Sequence, residues 1–549
     1  MTEPASTPEV AIGIGIGTSP CSVSVWNGSQ VEVLKDTINE MIKRSCETFK
    51  EHDDDEATIL KMKHLIDIIV SDPIVHNAST NFPFLVHALD IKPFHPFIAA
   101  FVNKVWRSTN SVELLGKFLV ELRQMVETHL KRPVRYVVFT VPVSFSRLQL
   151  NRIHRACGMA GLNVFRVMPQ PTAVALLYAK QQMQASASIH EDMVSESEKI
   201  ALIFNMDAAY CDVAVIATSK GKCQIKGLVG STIGEEDLLG NMMHHLLPDS
   251  ENMFKKHVHD DKEIKSMAFL RVTIQEAIHQ LSSLTSVEVD LNMGDGLKIC
   301  KVVEREEFEK VNKEVFEKCE RLMIQCLQDA KVEVENLNDV IIVGGCCNIP
   351  KVKSLVTKIC KGKEVYKGMN PLEATLCGAA EAGAIALGND NPFGDLEMLN
   401  FHFTPLAIGI QANGNNFIAV IPRNTSVPTT RRLVFTTIHD NQTAALIVVY
   451  EGEGQKAEEN HLLGYFKITE IPEAPKGVPE INVCMEIDHK NRLTVITSVE
   501  MYGFQQSAIP VIEARMTKFD DDDHGWCGEG LIRSYGDTMD LVTLLRKEQ

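Results

Sequence analysis

The amino-acid sequence predicts an α/β domain over residues 11–394, followed by a β-rich domain over residues 404–515. The first part of the chain alternates short apolar runs with longer segments of helical spacing, which is typical of a mixed α/β domain. Near residue 395 the pattern changes to closely spaced β-type runs with turn residues between them. Seven or more such runs in close succession predict a β-sandwich.

The elements of the first domain follow from the periodicity of its apolar residues. Strands are predicted at 11–17, 136–145, 200–204 and 339–343. Two long helices are predicted at 112–130 and 306–331, because their apolar residues recur at helical spacing. Segments 181–199 and 248–266 are polar and charged, and they predict loops or solvated helix faces.

The second domain is bounded by segments of different composition. A short, partly apolar linker is predicted at 395–403, and the tail at 516–549 carries an acidic run at 520–523 and one short helix candidate. Between them, strands are predicted for FIAVI, RLVFTTI, ALIVVYEG, LLGYFKI, EINVCMEID, RLTVITSVE and IPVIEARM. Residues 1–10 are polar and predict a flexible segment.

Charge and composition restrict the class of partner. The chain of 549 residues has a formal net charge of −17, whereas a nucleic-acid binder needs a basic face. The first ten residues do not resemble a secretory signal, and no apolar run reaches the roughly 20 residues that span a bilayer. The 14 cysteines follow no C-x-x-C spacing. We therefore expect reduced, buried thiols in a cytoplasmic or nuclear protein that binds neither nucleic acid nor membrane.

Two strand-to-turn segments carry the glycines that a phosphate site needs. Residues 14–19 (IGIGTS) and 343–350 (VGGCCNIP) each include or follow an apolar strand. Glycine lets backbone N–H groups approach a phosphate closely. The turn after strand 200–204 is NMDAA and lacks glycine, and neither glycine turn has Walker A or G-x-G-x-x-G spacing. The residues alone leave both a nucleotide site and a purely structural glycine turn open.

Several motifs in order resemble the 70-kilodalton heat-shock chaperone family. Residues 14–19 are similar to the phosphate hairpin of the actin-like, sugar-kinase-like ATPases. Similar segments of the first domain are 140–142 (TVP), 158–164 (GMAGLNV), 171–173 (PTA), 343–352 (VGGCCNIPKV), 370–371 (NP) and 378–380 (GAA). Those of the second are 404–406 (TPL), 423–425 (RNT), 440–442 (DNQ), 450–453 (YEGE), 477–481 (GVPEI) and 487–488 (ID). The resemblance covers about 11–515 and is strongest to shortened, divergent plant members.

The resemblance implies an actin-like, two-lobed ATPase domain that binds ATP or ADP with Mg²⁺. By position, the residues that match family catalytic groups are Thr18, Lys63 and Asp212. Nucleotide contacts are implied for Gly17, Thr18, Ser19, Glu236, Ser282, Gly344 and Gly345. No side chain is assigned as a direct metal ligand.

Several family residues are replaced in this chain. Gly15 stands at the position of the magnesium-side aspartate, Gln170 at that of a catalytic glutamate, and Asn205 at that of another aspartate. On the adenosine side the departures are Gln275, Ile278, Cys346 and Asn348. Losing three carboxylates predicts weak or lost ATP hydrolysis, because they orient hydrated magnesium and the attacking water.

In the second domain the resemblance implies a groove for extended apolar peptides. Its floor would be formed by Ile410, Ala412, Phe435, Ala445 and Ile447, and an arch over the peptide by Asn413 and Ile438. Phe435 and Ile447 fit ordinary core positions equally well, and that alternative stays open. The family's long helical lid has no expected counterpart after residue 515, which predicts fast peptide exchange.

The expected function is that of a heat-shock-type chaperone for unfolded or extended polypeptides, with nucleotide binding and weak or absent hydrolysis. One alternative is a fully ATP-driven folding chaperone. The other is a non-catalytic scaffold or exchange-factor-like partner of full-length chaperones. The resemblance implies J-domain co-chaperones, exchange factors and full-length chaperones as partners.

Overall fold

The computed structural model describes residues 10–15, 22–26, 30–34, 85–87, 97–102, 105–187, 198–219, 222–246, 261–292, 298–387, 397–399, 404–488, 493–501, 504–505 and 542–547. The chain divides into two units. The first comprises Met1–Asp90, His95–Val143 and Arg152–Leu399, and the second comprises Ile91–Phe94, Ser144–Asn151 and Asn400–Gln549.

The first unit begins with a five-stranded sheet and a separate three-stranded sheet. This part of the chain holds β1 (Ala11–Gly15), β2 (Ser22–Trp26), β3 (Val31–Leu34), β4 (Leu85–His87), β5 (Phe97–Val102), β6 (Val105–Asn110), α1 (Ser111–Leu130), β7 (Tyr136–Val141), α2 (Arg147–Met159), β8 (Asn163–Pro169) and α3 (Gln170–Ala187). The first turn of α2, up to Asn151, is counted with the second unit. The five-stranded order is β3-β2-β1-β7-β8, and β4, β5 and β6 form the smaller antiparallel sheet.

A second five-stranded sheet follows in the same unit. Its part of the chain holds β9 (Lys199–Met206), β10 (Cys211–Ser219), β11 (Lys222–Ser231), α4 (Glu235–Leu246), α5 (Asp261–Leu281), β12 (Ser286–Asn292), β13 (Lys298–Glu304), α6 (Arg305–Val311), α7 (Lys313–Ala330), β14 (Asp339–Val343), α8 (Pro350–Ile359), α9 (Ala374–Ala386) and β15 (Glu397–Leu399). The order is β14-β9-β10-β11-β15, and β12 and β13 form a hairpin.

The two five-stranded sheets share one plan. In each, the first strand of an antiparallel meander pairs in parallel with a later strand: β1 with β7, and β9 with β14. Strands buried on both faces are expected to be continuously apolar, and β10 is buried along almost its whole length. The strands predicted near 136, 200 and 339 are found, and the first of them ends at Val141.

The helix predicted at 306–331 is two helices, because the chain breaks at Asn312. Its backbone N–H and its side-chain Nδ2 both donate to Phe308 O, each at 3.1 Å. Its Oδ1 accepts a 3.0 Å hydrogen bond from Asn241 Nδ2 on α4. The asparagine is buried, and its side chain shares the Phe308 carbonyl with its own helical N–H, a back-bond that disturbs a regular helix.

One hydrophobic core of the first unit lies around the second sheet and its helices, and strand residues of the first sheet such as Ile12, Val23 and Val138 are fully buried too. Leu202, Phe204, Met206 and Val213 on the strands pack with apolar residues of α4, α5, α7 and α8. The predicted buried thiols Cys211, Cys319 and Cys326 are buried and are not joined in disulfides, whereas Cys484 in the second unit is half-buried. Within the described ranges, no helix combines the length and apolarity that crossing a membrane requires.

The second unit is built from strands. They are β16 (Ala407–Ala412), β17 (Asn416–Ile421), β18 (Thr429–Thr437), β19 (Ala445–Gly452), β20 (His461–Ile468), β21 (Glu480–Ile487), β22 (Leu493–Met501), β23 (Phe504–Gln505) and β24 (Val542–Lys547). The hydrogen-bonded order is β20-β19-β16-β24-β18-β21-β22-β23, with β17 on β16. Burial alternates along β22, so one face of that strand packs on a core shared with β16, β18, β19 and β21.

The structure describes the tail, in which one short helix is predicted, only at Val542–Lys547. Residues Val542–Lys547 form β24, which pairs antiparallel with β18 and touches β16 in register at Ala412. Backbone pairing decides the state of so short a segment, and intrinsic preference is too weak to reveal it. The strand predicted for IPVIEARM, at 509–516, lies outside the described residues.

Candidate functional site

The strand end at Gly15 is closed by neighbouring side chains. Gly15 ends β1 and lies opposite Thr140 on β7. A Cβ atom at position 15 would lie 3.0 Å from Leu376 Cδ2 and 3.3 Å from Thr140 Oγ1. Leu376 belongs to α9, so any side chain at position 15 requires this leucine to move. The aspartate that the resemblance expects here therefore does not fit without rearrangement.

Gln170 and Asn205, at two further positions of lost carboxylates, are hydrogen-bonded to each other. Gln170 is the first residue of α3, and Asn205 lies near the end of β9. Both are buried, and Asn205 Nδ2 donates to Gln170 Oε1 at 2.8 Å. Two carboxylates this close would repel each other unless a cation or a proton lay between them. Two amides satisfy each other and need neither.

Asp212 keeps its carboxylate, which lies next to this amide pair. It is directly opposite Asn205 in the β9–β10 ladder and is fully buried. The backbone N–H of Val143 donates to both of its oxygens, at 3.2 and 3.3 Å. A buried carboxylate requires such donors. Asp212 therefore anchors the chain just after Pro142, in addition to any role toward a ligand.

The turn between β9 and β10 is held by the start of α4. The backbone N–H of Glu235 donates to Asp207 O at 3.2 Å, and that of Glu236 donates to Ala208 O at 2.8 Å. A Cβ at Gly234 would lie only 2.4 Å from Ala208 O, so the close approach requires glycine. N–H groups at a helix start are a common phosphate site. Here two of them already bond to the turn.

The second glycine turn needs its first glycine for conformational reasons. Gly344 has φ +94°, and a Cβ there would lie 2.3 Å from Met206 O. Its N–H donates to Pro371 O at 3.1 Å. At Gly345 a Cβ would lie 3.4 Å from Asp207 Oδ1. The turn therefore packs against the end of β9 and the residue that follows it.

Glu236 is held in an ion pair with α5. Its carboxylate accepts a hydrogen bond from the Arg271 guanidinium, and both side chains are largely buried. Burial lowers the pKa of Arg271 to about 10. The predicted nucleotide-side acid is therefore neutralised within the protein, and the pair ties α4 to α5.

The preceding residue, Glu235, is hydrogen-bonded to α5 and lies near the glycine turn. Its Oε1 accepts hydrogen bonds from Gln275 Nε2 at 3.2 Å and from His279 Nε2 at 3.0 Å. Its Oε2 lies 4.0 Å from the position of a Cβ at Gly345. The bond to Glu235 raises the pKa of His279. Predicted Ser282 follows at the end of α5, where its Oγ lies 3.5 Å from Ile278 O.

Sequence reasoning missed Glu235, Arg271 and His279. The only sequence signal was their spacing: Arg271, Gln275 and His279 recur every fourth residue and so share one face of α5. Nothing in the sequence places Glu235 opposite that face.

The phosphate side of the predicted site lies partly outside the described residues. Gly17, Thr18, Ser19 and Lys63 belong to that part of the chain, and their roles stay predictions. Among the described residues, no cluster of His, Cys, Asp and Glu side chains is arranged to hold a metal ion. Mg²⁺ prefers carboxylate oxygens and water, and positions 15, 170 and 205 offer a glycine and two amides. These residues do not fit a hydrated magnesium ion well.

The predicted groove residues fall into two groups. The first is buried in the core of the second unit: Ile410, Ala412, Phe435, Ala445 and Ile447. The second is accessible, with Asn413 exposed and Ile438 half-buried. Asn413 and Ile438 directly follow the ends of β16 and β18. The predicted floor side chains are therefore core residues of this unit, whether or not they also line a groove.

The fold and motifs define a class of protein, and comparison with known families confirms it. A model of the family described as "Hsp70 protein" matches residues 11–524. The chain therefore belongs to the Hsp70 family of chaperones, and the predicted resemblance is confirmed. The two mixed α/β sheets of the first unit are consistent with the family's two-lobed ATPase fold.

Three relatives show how similar the chain is to individual members of the family. Heat shock 70 kDa protein 8 of Arabidopsis thaliana is 53% identical over 557 residues, which cover 99% of this chain and 96% of that protein. A heat shock 70 kDa protein of Neurospora crassa is 31% identical over 504 residues, covering 88% and 75%. A ribosome-associated molecular chaperone of Saccharomyces cerevisiae is 30% identical over 520 residues, covering 92% and 82%.

Proposed function

We propose that this Hsp70-family chain binds unfolded or extended polypeptide segments and an adenine nucleotide, and that it hydrolyses ATP weakly or not at all. The hydrogen bond between Gln170 and Asn205 is the observation that carries the last point. Phosphoryl transfer depends on positioned water, a positioned metal ion and preorganised charge. Two neutral amides bonded to each other provide no proton acceptor and no negative charge for these tasks.

Nucleotide binding has separate support on the adenosine side. The Glu235 carboxylate is hydrogen-bonded to α5 and lies near Gly345 of the glycine turn, and Ser282 directly follows α5. Replacing carboxylates also removes repulsion, which for unit charges about 5 Å apart at an effective dielectric near 20 is about 3 kcal/mol. The carboxylate of Asp207, beside Gly345, would instead add repulsion toward a nucleotide phosphate. We therefore propose that the chain binds ATP but hydrolyses it inefficiently.

Peptide binding is supported by the architecture of the second unit. Asn413 and Ile438 are accessible and follow two strands whose floor residues share one apolar core. An extended peptide added along such strands gains backbone hydrogen bonds, and apolar pockets provide selectivity. This arrangement favours unfolded segments over folded partners.

The decisive experiment measures nucleotide binding and chemistry on one sample. Calorimetric titration with Mg-ATP comes first, followed by single-turnover hydrolysis, with an Hsp70 relative that retains all three carboxylates as the reference. We expect binding, and hydrolysis at least about a hundredfold slower than the reference, which is the usual size of general acid–base catalysis.

Each other outcome points to a different function. Hydrolysis at the reference rate would refute the proposal and favour the ATP-driven folding chaperone. Absence of both nucleotide and peptide binding would leave the scaffold alternative.

A further inference from the structure

β24 connects two parts of the sheet in the second unit. In the hydrogen-bonded order it lies between β16 and β18. Every other strand of this sheet lies between residues 407 and 505, whereas β24 begins at residue 542. It is therefore a segment inserted between strands from a distant part of the sequence.

The register of β24 coincides with the predicted peptide groove. Leu544 lies opposite Phe435 on β18. Val542 lies opposite both Ala412 on β16 and Thr437 on β18. Ala412 and Phe435 are predicted floor residues, and the residues that follow Ala412 and Thr437 are the predicted arch, Asn413 and Ile438. The backbone of β24 thus runs where an extended peptide is expected.

When β24 leaves, the edge of β18 that it covers becomes available for backbone pairing with another chain. β18 pairs with β21 along one edge and with β24 along the other, over Leu433–Thr437. Without β24, the N–H and C=O groups of this second edge have no strand partner in the described sheet. An exposed edge of this kind binds extended peptides by strand addition.

The pairing of β24 is less extensive than that of a regular neighbour. Eight register pairs join β18 to β21, whereas five join β18 to β24, with a register shift between Val434 and Phe435. A single register pair joins β24 to β16. A short, irregular ladder is easier to displace than a long regular one. The sequence of β24, VTLLRK, is also that of a short apolar segment with basic residues, as an unfolded client would offer.

We propose that β24 is an internal ligand: the segment Val542–Lys547 occupies the groove for extended peptides, and a client peptide binds only when β24 leaves. This inference rests on the peptide-binding part of the proposed function. A tethered ligand has an effective concentration of about millimolar, so it suppresses weaker or more dilute competitors without any other change in the protein.

The test compares four chains in one peptide-binding assay. They are the full chain, a chain that ends after residue 541, the full chain with Leu544→Pro, and a control with Glu548→Pro. Proline at 544 removes a backbone donor within β24, whereas proline at 548 lies beyond the strand. Two fluorescent peptides serve as probes in anisotropy titrations. One has the sequence of residues 540–549, and the other is an unrelated extended leucine-rich peptide.

We expect the shortened chain and Leu544→Pro to bind both probes at least about tenfold more tightly than the full chain, with Glu548→Pro unchanged. Circular dichroism melting tests whether each chain is folded. If the shortened chain is unfolded, the comparison uses Leu544→Pro in its place.

Three results would overturn the inference. Equal binding of the leucine-rich probe by all four chains leaves peptide binding intact but shows that β24 does not compete for it. If the shortened chain binds the 540–549 peptide but not the leucine-rich probe, β24 is a structural strand of this chain. The proposed binding of client peptides is then refuted as well. If no folded chain binds either probe, the groove itself is refuted.

Discussion

The pair formed by Gln170 and Asn205 shows how one residue position depends on another. Gln170→Leu keeps a side chain of similar length but leaves the buried Asn205 amide without its acceptor. We expect a loss of about 1–3 kcal/mol in the free energy of unfolding. The double variant Gln170→Leu/Asn205→Leu should lose less than the sum of the two single variants, because it leaves no unpaired amide. Urea denaturation of the four chains measures this cycle.

A matched control separates this effect from a general cost of leucine in α3. Gln184 lies in the same helix but is exposed, so Gln184→Leu should change the free energy of unfolding by less than about 0.5 kcal/mol. Strictly additive losses in the double-mutant cycle would show that the two amides do not depend on each other.

His279 provides a prediction about pH. Its hydrogen bond to Glu235 raises its pKa, and burial acts in the opposite direction. Because the raised value belongs to the folded state, the pair stabilises the fold fully below the ordinary histidine pKa. That contribution is lost as pH rises through the raised value. An NMR titration of the His279 ring should show a pKa above the ordinary one, and Glu235→Gln should move it back down.

The neighbouring Glu276 offers the matched control for this titration. It also raises the pKa of His279, but through charge alone and as the smallest of the causes. Glu276→Gln should therefore lower the pKa of His279 less than Glu235→Gln does. Equal shifts in the two variants would contradict the assigned hydrogen bond.

Residues of the site differ in how far the sequence reveals them. Gly344 was predictable, because a glycine pair after a buried strand indicates an unusual backbone, and its φ of +94° agrees. The replacements at Gln170 and Asn205 were visible too, but not the bond between them. The bridge from Glu235 to α5 was invisible, since it joins positions 40 and 44 residues apart. Such contacts depend on how two helices pack, which no local pattern encodes.

Among the elements, long periodic segments were predictable and short or interrupted ones were not. The helix at 112–130 and the strand at 339–343 agree with the structure to within a residue. The break at Asn312 was missed, because Asn241 on another helix helps to hold it. β24 was missed for the same physical reason: its partners lie more than 100 residues away in sequence.

The end of α7 yields a prediction at the scale of a single helix. Lys331 caps it in the left-handed conformation, with φ 54°, and Val332 N–H returns to Leu327 O at 3.0 Å. Glycine adopts this conformation without the cost that other residues bear there. We expect Lys331→Gly to raise the free energy of unfolding by about 1 kcal/mol. Thermal unfolding measures this change. Lys331→Ala is the control, because alanine also removes the lysine side chain but does not adopt the left-handed conformation more easily. Equal stability of the two variants would contradict the assigned conformation at the end of α7.

On the scale of the whole molecule, the question is whether nucleotide and peptide sites influence each other. A ligand shifts a conformational equilibrium only by the difference in its affinity for the two states. In the first unit, three of the positions that would respond to phosphate and magnesium hold Gly15, Gln170 and Asn205, none of which is charged. The nucleotide therefore has fewer charged contacts through which to distinguish two states of the protein.

We therefore predict weak coupling between the two sites. In a chain that ends after residue 541, which removes competition from β24, Mg-ATP should change the dissociation rate of a bound leucine-rich peptide by less than about twofold. Stopped-flow fluorescence measures the rate, and an Hsp70 relative with all three carboxylates serves as the positive control for the assay. A change of tenfold or more would show that the retained residues, Asp212 among them, still transmit the nucleotide state. If the chain also hydrolysed ATP at the reference rate, these results would show that it is a fully ATP-driven folding chaperone.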